Sequence, residues 1–191
     1  AKKVDQILAQ KSAWIARTTE RLKSCDAAAT QPIQPGFELP LYGRIHKVIF
    51  QESIDHRPDI ALAENQRIFL WHQPDQMDQA MLKTALVSWY RRMAHQTLRE
   101  KTEYWGGKIT IRDPKTRWGS CSAKAAISYS WRIITAPEEI IDYLVVHELC
   151  HLRIPNHSTQ YWALLARYIP DYKERRRWLR QNGQRIMNLL G

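Results

Sequence analysis

The sequence predicts an α+β domain with an antiparallel-rich sheet packed on helices. Three observations carry this expectation. Short β-branched and aromatic runs crowd residues 42–72, a single long helical period covers 75–103, and two further strands then lead into a succession of helices. Strands and helices segregated into blocks are the α+β pattern. With 191 residues, 44% of them apolar, the chain is long enough for one hydrophobic core, short for two, and too apolar for a disordered protein.

Residues 2–24 read as a helix, with Ile7, Leu8, Trp14, Ile15 and Leu22 set among charges. The segment TQPIQPGFELP, residues 30–40, holds three prolines and a glycine, and reads as a linker. The expected organisation is therefore an N-terminal helical extension over 1–30 and a main domain over 31–191. Residues 42–53, DIALAE (59–64) and RIFLWH (67–72) read as antiparallel strands, the last two joined by a turn at Asn65-Gln66. In the long helix Met77, Met81, Leu82, Ala85, Leu86, Trp89, Met93 and Leu98 recur at three- and four-residue spacing, and Gly106-Gly107 ends it. Residues 108–112 and 126–133 read as strands, with RWGSCS between them. Pro137 is suited to a helix start, with Glu138 and Glu139 at the positive end of a helix that runs to about Leu152. A further helix starts at Ser158 and stops near Pro170, and a basic one covers roughly 171–190.

No stretch approaches the roughly 20 apolar residues of a membrane span, and AKKVDQILAQ has no apolar run behind its lysines, so neither a span nor a signal peptide is expected. Three cysteines, Cys25, Cys121 and Cys150, are too sparse and too odd in number for a disulfide framework, and fit a reducing cytoplasm. The formal charge of +10 is concentrated at the two ends, 2–23 and 167–185. It makes non-specific nucleic acid a candidate partner, against the plain alternative of a solvated basic surface.

The chemistry centres on His147-Glu148-Leu149-Cys150-His151, an HExxH pattern. On a helix, residues i and i+4 lie about 40° apart and one turn along, so both imidazoles face one point, where they can share a metal ion. Glu148 projects to the side of that point, where it can act as a base without being a ligand. By composition alone the pattern arises in roughly one chain of this length in a couple of hundred. Its setting adds weight, because Ile140, Ile141, Tyr143, Leu144, Val145 and Val146 leave the helix almost no polar face. Ionisable groups on a buried helix are costly unless a partner satisfies them. A catalytic zinc needs a third protein ligand and an open position. His157 is the candidate, held between Pro155, which ends one helix, and Ser158, an N-cap for the next. The spacing is that of the metzincins, but their pattern has a glycine where this chain has Ile154, so the turn must differ.

RWGSCS (Arg117–Ser122), SWRIITAPEEIIDYLVVHELCHL (Ser130–Leu152), Asn156–Ser158, Tyr161-Trp162 and PDYKERRRWL (Pro170–Leu179) together resemble the YgjP-like metallopeptidase family, related to the SprT-like zinc metallopeptidases. The resemblance is carried by residues 108–180 and extends to about 37. It implies a zincin-like α+β domain, a zinc ion held by His147, His151 and His157, Glu148 as catalytic base, and a protein or peptide substrate. Gly119 is expected to allow a close backbone approach, Trp118 to be core, and the RWGSCS strand to border the cleft and pair with an extended peptide. Arg117 and Tyr161 are candidates for a further donor to the oxyanion. Cys121 and Cys150 read as small apolar residues rather than ligands. Two other functions remain open on sequence: a zinc hydrolase of a non-peptide amide or ester, and a nucleic-acid-associated module with a structural zinc.

Overall fold

In a computed structural model of the chain, residues 32–52, 59–72, 78–103, 108–114 and 116–190 are described. The expected helix over 2–24, the 1–30 extension, Cys25 and the glycine pair at 106–107 lie outside them. Twelve segments follow in order: β1 (Glu38–Leu41), β2 (Arg44–Glu52), β3 (Asp59–Ala63), β4 (Arg67–His72), α1 (Gln79–Glu103), β5 (Lys108–Arg112), β6 (Gly119–Cys121), β7 (Ala126–Ser130), a 3-10 turn (Trp131–Thr135), α2 (Glu138–Cys150), α3 (Thr159–Tyr168) and α4 (Tyr172–Met187). The α+β class is as expected, but there are two mixed sheets rather than one. The first has the order β1-β2-β4-β3, the second β5-β7-β6.

The expectation that the first block is purely antiparallel is corrected by β2 and β4, which run parallel (Val48 opposite Ile68, Phe50 opposite Leu70). Burial explains the order. β4 turns Ile68 and Leu70 fully inward and takes an interior position, while β3 buries only Ile60 among its five residues and takes the edge. The β3–β4 hairpin does turn at Asn65-Gln66, both with positive φ (59° and 56°), within the three residues between the paired Ala63 and Arg67.

Part of the expected linker is also a strand. Leu39 and Leu41 point into the core two residues apart, the β period, and β1 pairs antiparallel with β2. Pro40 is tolerated because β1 is an edge strand, and its carbonyl accepts a hydrogen bond from the Tyr90 hydroxyl at 2.8 Å, which ties the strand to α1. The intervening turn reaches across to the second half of the molecule. The Tyr42 and Gly43 amides donate to the carbonyls of Ile134 and Thr135, and a Cβ on Gly43 would lie 2.8 Å from Pro137.

The strand expected over 126–133 stops at Ser130. Its side chain accepts from the Arg132 amide and opens the 3-10 turn. Trp131, Ile133 and Ile134 are fully buried and Arg132 nearly so. Such a run looks like a strand in sequence because it is apolar and β-branched. The Arg132 guanidinium is neutralised by an ion pair with Asp113 and lies over the Trp131 ring. Trp131 in turn stacks on Tyr90, with ring centres 5.3 Å apart. This packing fixes α1, the turn and the start of α2 relative to one another, and α2 then packs against α3, α4 and β6. Among the described residues no helix is long and apolar enough to cross a membrane.

Candidate metal centre

α2 begins one residue after Pro137, whose carbonyl accepts from the Ile140 and Ile141 amides. Its first two turns bury Ile140, Ile141, Tyr143, Leu144 and Val145, so the whole face that precedes the histidines is anchored in the core. The last turn then delivers His147 and His151 to one side. After Cys150 the chain leaves the helix through Leu152–Ile154, and Ile154 has no positive φ. No glycine is needed at this position, and the Ile154 carbonyl accepts a hydrogen bond from His151 Nδ1 at 3.1 Å. With Nδ1 donating, the Nε2 lone pair of His151 is aimed at the centre. Pro155 and Asn156 carry the chain back to His157, and Ser158 caps α3 by accepting from the Tyr161 amide, as expected.

The three histidines meet. His157 Nε2 lies 3.2 Å from His147 Nε2 and 3.2 Å from His151 Nε2. All three ligand atoms fall within 4.8 Å of one another, the geometry of a group that could hold a metal ion. Tetrahedral zinc with nitrogen ligands at about 2.0–2.1 Å sets its nitrogens roughly 3.3 Å apart, so the donor set fits that ion. His147 Nδ1 is buried and has no hydrogen-bond partner among the described residues. Burial, then the charges of His151, His157 and Arg176, depress the His147 imidazole to about 3. The same influences, burial first and then His151 and Arg176, lower His157. Both rings are therefore neutral near pH 7, the form in which imidazole binds a metal.

Glu148 is buried, 4% exposed, and burial pushes its carboxyl up to about 7. The residue that shapes its surroundings is Gly119. A Cβ there would lie 2.5 Å from Glu148 Oε1 and 2.8 Å from Cδ, so only glycine lets β6 run this close to the carboxylate. The close approach expected of Gly119 is thus directed at the one acid of the site. β6 is the edge of its sheet, paired on one side with β7 (Gly119 opposite Tyr129, Cys121 opposite Ile127). Cys121 is half-buried on this strand, its thiol pushed up by burial and by the charge of Glu148. Cys150 is buried and pushed up to about 11 by the same desolvation. Neither belongs to the ligand group.

Tyr161 does not supply the oxyanion donor. It is fully buried, and its hydroxyl donates to the His147 carbonyl at 2.9 Å. Its ring stacks on His151, with centres 4.6 Å apart, so it braces both histidines of α2 at once. Arg117 is exposed. Trp118 is half-buried against Gly183 of α4 rather than in the deep core. The sequence motif Tyr161-Trp162 gives Trp162 no stated part in the site, and the structure places it there. It is half-buried, its ring stacks on His157 (5.3 Å between centres, planes 22° apart), and its indole N–H donates to the His157 carbonyl. Tyr172 stacks on Trp162 in turn, at 5.3 Å, and the Arg176 guanidinium lies 4.7 Å from the Trp162 ring centre. An aromatic pair beside the third histidine, Tyr161-Trp162 at the start of a helix, was the available signal. α4 also exposes Lys173, Arg176, Arg177, Arg180 and Arg185. The other basic cluster, 2–23, lies outside the described residues.

A family model described as "YgjP-like, metallopeptidase domain" matches residues 1–182, a wider span than the one that carries the resemblance in sequence. No curated protein matches the sequence. Among solved structures, the metallopeptidase zymogen abylysin of Pyrococcus abyssi is similar at 24% identity and a TM-score of 0.37, over 47% of this chain and 92% of that one.

Proposed function

The chain belongs to the YgjP-like metallopeptidase family, a family of metal-dependent peptidases, and from that premise we propose that it is a zinc enzyme in which His147, His151 and His157 hold the ion and Glu148 is the general base. The observation that carries this is the convergence of the three Nε2 atoms, two spacings of 3.2 Å, on a point flanked by one buried carboxylate. Three imidazoles leave a fourth position open, which a structural site would fill with protein. A bound zinc ion lowers the pKa of water toward 7 and polarises a carbonyl oxygen. The chain's own residues do the rest. Tyr161 and the Ile154 carbonyl hold the histidine rings in place. Glu148 accepts the proton of the attacking water and returns it to the leaving amine, while Gly119 keeps β6 close beside that carboxylate. The free edge of β6 pairs with an extended peptide, which brings its carbonyl to the centre.

Elemental analysis of the purified protein tests the ligand set. We expect one equivalent of zinc in the wild type and most of it lost in His157→Ala, with the melting temperature little changed in metal-free samples. Unchanged zinc content in the variant would remove His157 from the set.

A further inference from the structure

We infer that Arg176 anchors an anionic group of the substrate beside the metal centre, so that the enzyme favours peptides carrying a carboxylate within one or two residues of the bond it cuts. The inference rests on the metallopeptidase reading above and narrows its substrate class.

Two neighbours on α4 show why Arg176 is unlike an ordinary surface arginine. Arg175 is fully engaged: it pairs with Asp171 at 2.9 Å and donates to the Glu139 carbonyl at 2.8 Å. Arg176 is exposed, and among the described residues no carboxylate lies within ion-pair distance of it. What holds it is an aromatic face. It sits 4.7 Å from the Trp162 ring centre, one helical turn after Tyr172, which stacks on the same ring. A guanidinium placed this way loses little freedom on binding an anion, because its plane is set in advance while its N–H groups stay open to solvent.

The position matters as much as the freedom. Trp162 also stacks on His157, at 5.3 Å, so the guanidinium is no farther from the His157 ring than two ring spacings. Its charge is felt at His147, His157, Tyr143 and Tyr161, which surround the centre. An extended peptide advances about 3.3 Å per residue, so a carboxylate one or two residues from a carbonyl at the centre, with the added length of its side chain, falls within this range. The acid of the site, Glu148, is buried and cannot neutralise an exposed guanidinium by direct contact. A carboxylate meets the fork of Arg176 with two parallel hydrogen bonds. Either an acidic side chain or the C-terminal carboxylate of a short peptide offers that group.

The test uses hydroxamates as metal-directed probes, which need no turnover. A series of linear hydroxamic acids ending in a carboxylate, with two to five methylenes, is titrated by calorimetry into the zinc-loaded full-length protein. The same series ending in a neutral carboxamide is the control. In the wild type at least one carboxylate is expected to bind about tenfold tighter than its amide, as a hydrogen bond to a charged group provides. Arg176→Gln should erase the preference, Arg176→Lys should keep part of it, and zinc content should be the same in all three. Equal binding of acid and amide by the zinc-loaded wild type would overturn the inference and leave the metal centre standing. A preference that persists in Arg176→Gln would overturn it as well. A wild-type protein that takes up no zinc would instead overturn the reading on which the inference rests, and the inference with it.

Discussion

The two sheets of this molecule are both mixed, but they differ in what they border. The four-stranded sheet has strands of four to nine residues, fully buried Leu39, Leu41, Ile68 and Leu70, and no residue of the proposed chemistry. The three-stranded sheet is shorter and ends in β6, three half-buried residues, among them Gly119, where an added Cβ would lie 2.5 Å from the Glu148 carboxylate. The first is a foundation whose residues are chosen for volume. The second is a boundary of the site, whose residues are chosen for how near they let the backbone come. Mutations should therefore separate stability from activity according to the sheet they strike.

The largest effect on stability should come from Leu70→Ala in β4. Truncating a fully buried leucine costs about 2–5 kcal/mol, read as a fall in the denaturant midpoint. Zinc content and activity per folded molecule should not change. Loss of activity in the folded fraction would break the division between the sheets.

Gly119→Ala should show the converse. The added methyl must push Glu148 or β6 aside. A misplacement of this order near the reacting atoms lowers the rate by about a hundredfold, while overpacking costs about 1–3 kcal/mol of stability. The kcat/KM of the variant beside its melting temperature measures the balance. Full activity would mean that the proximity of β6 to Glu148 is incidental.

A smaller effect sharpens the boundary further. Ser158→Ala removes the cap that opens α3 next to His157, for about 1 kcal/mol. Because His157 is a proposed ligand, part of that loss should appear as weaker zinc retention in a chelator competition, and the metal-free protein should lose the remainder in melting temperature. A stability loss with zinc retention unchanged would place the cap outside the site's support.

The same contrast explains what the sequence made legible. The candidate metal centre was legible because helical spacing fixes His147, Glu148 and His151 relative to one another, and because Pro155 and Ser158 mark the turn that brings His157 back. α1 was legible from its apolar period, and α2 from the start signals at Pro137, Glu138 and Glu139 and from an almost unbroken apolar surface. β1 was hidden in a proline-rich run, since Leu39 and Leu41 show only one step of alternation and Pro40 argues against a strand unless its edge position is known. The 3-10 turn after Ser130 was hidden because Trp131, Ile133 and Ile134 are buried for tertiary reasons and carry no period. The approach of Gly119 to Glu148, the bracing of both α2 histidines by Tyr161, and the stack of Trp162, Tyr172 and Arg176 beside His157 are contacts between separate elements. No local pattern encodes them.

The central claim, that a three-histidine centre works with Glu148 as its base, is tested most directly by Glu148→Gln. The substitution keeps the size and hydrogen bonding of the side chain and removes its capacity to take a proton. Zinc content, melting temperature and cleavage of an unfolded protein such as casein are measured side by side with the wild type. The account predicts one equivalent of zinc in both proteins, similar melting temperatures, and cleavage reduced by about 10²–10⁴ in the variant. Equal cleavage by both proteins, or a variant that sheds its zinc and so places the carboxylate among the ligands, would contradict it.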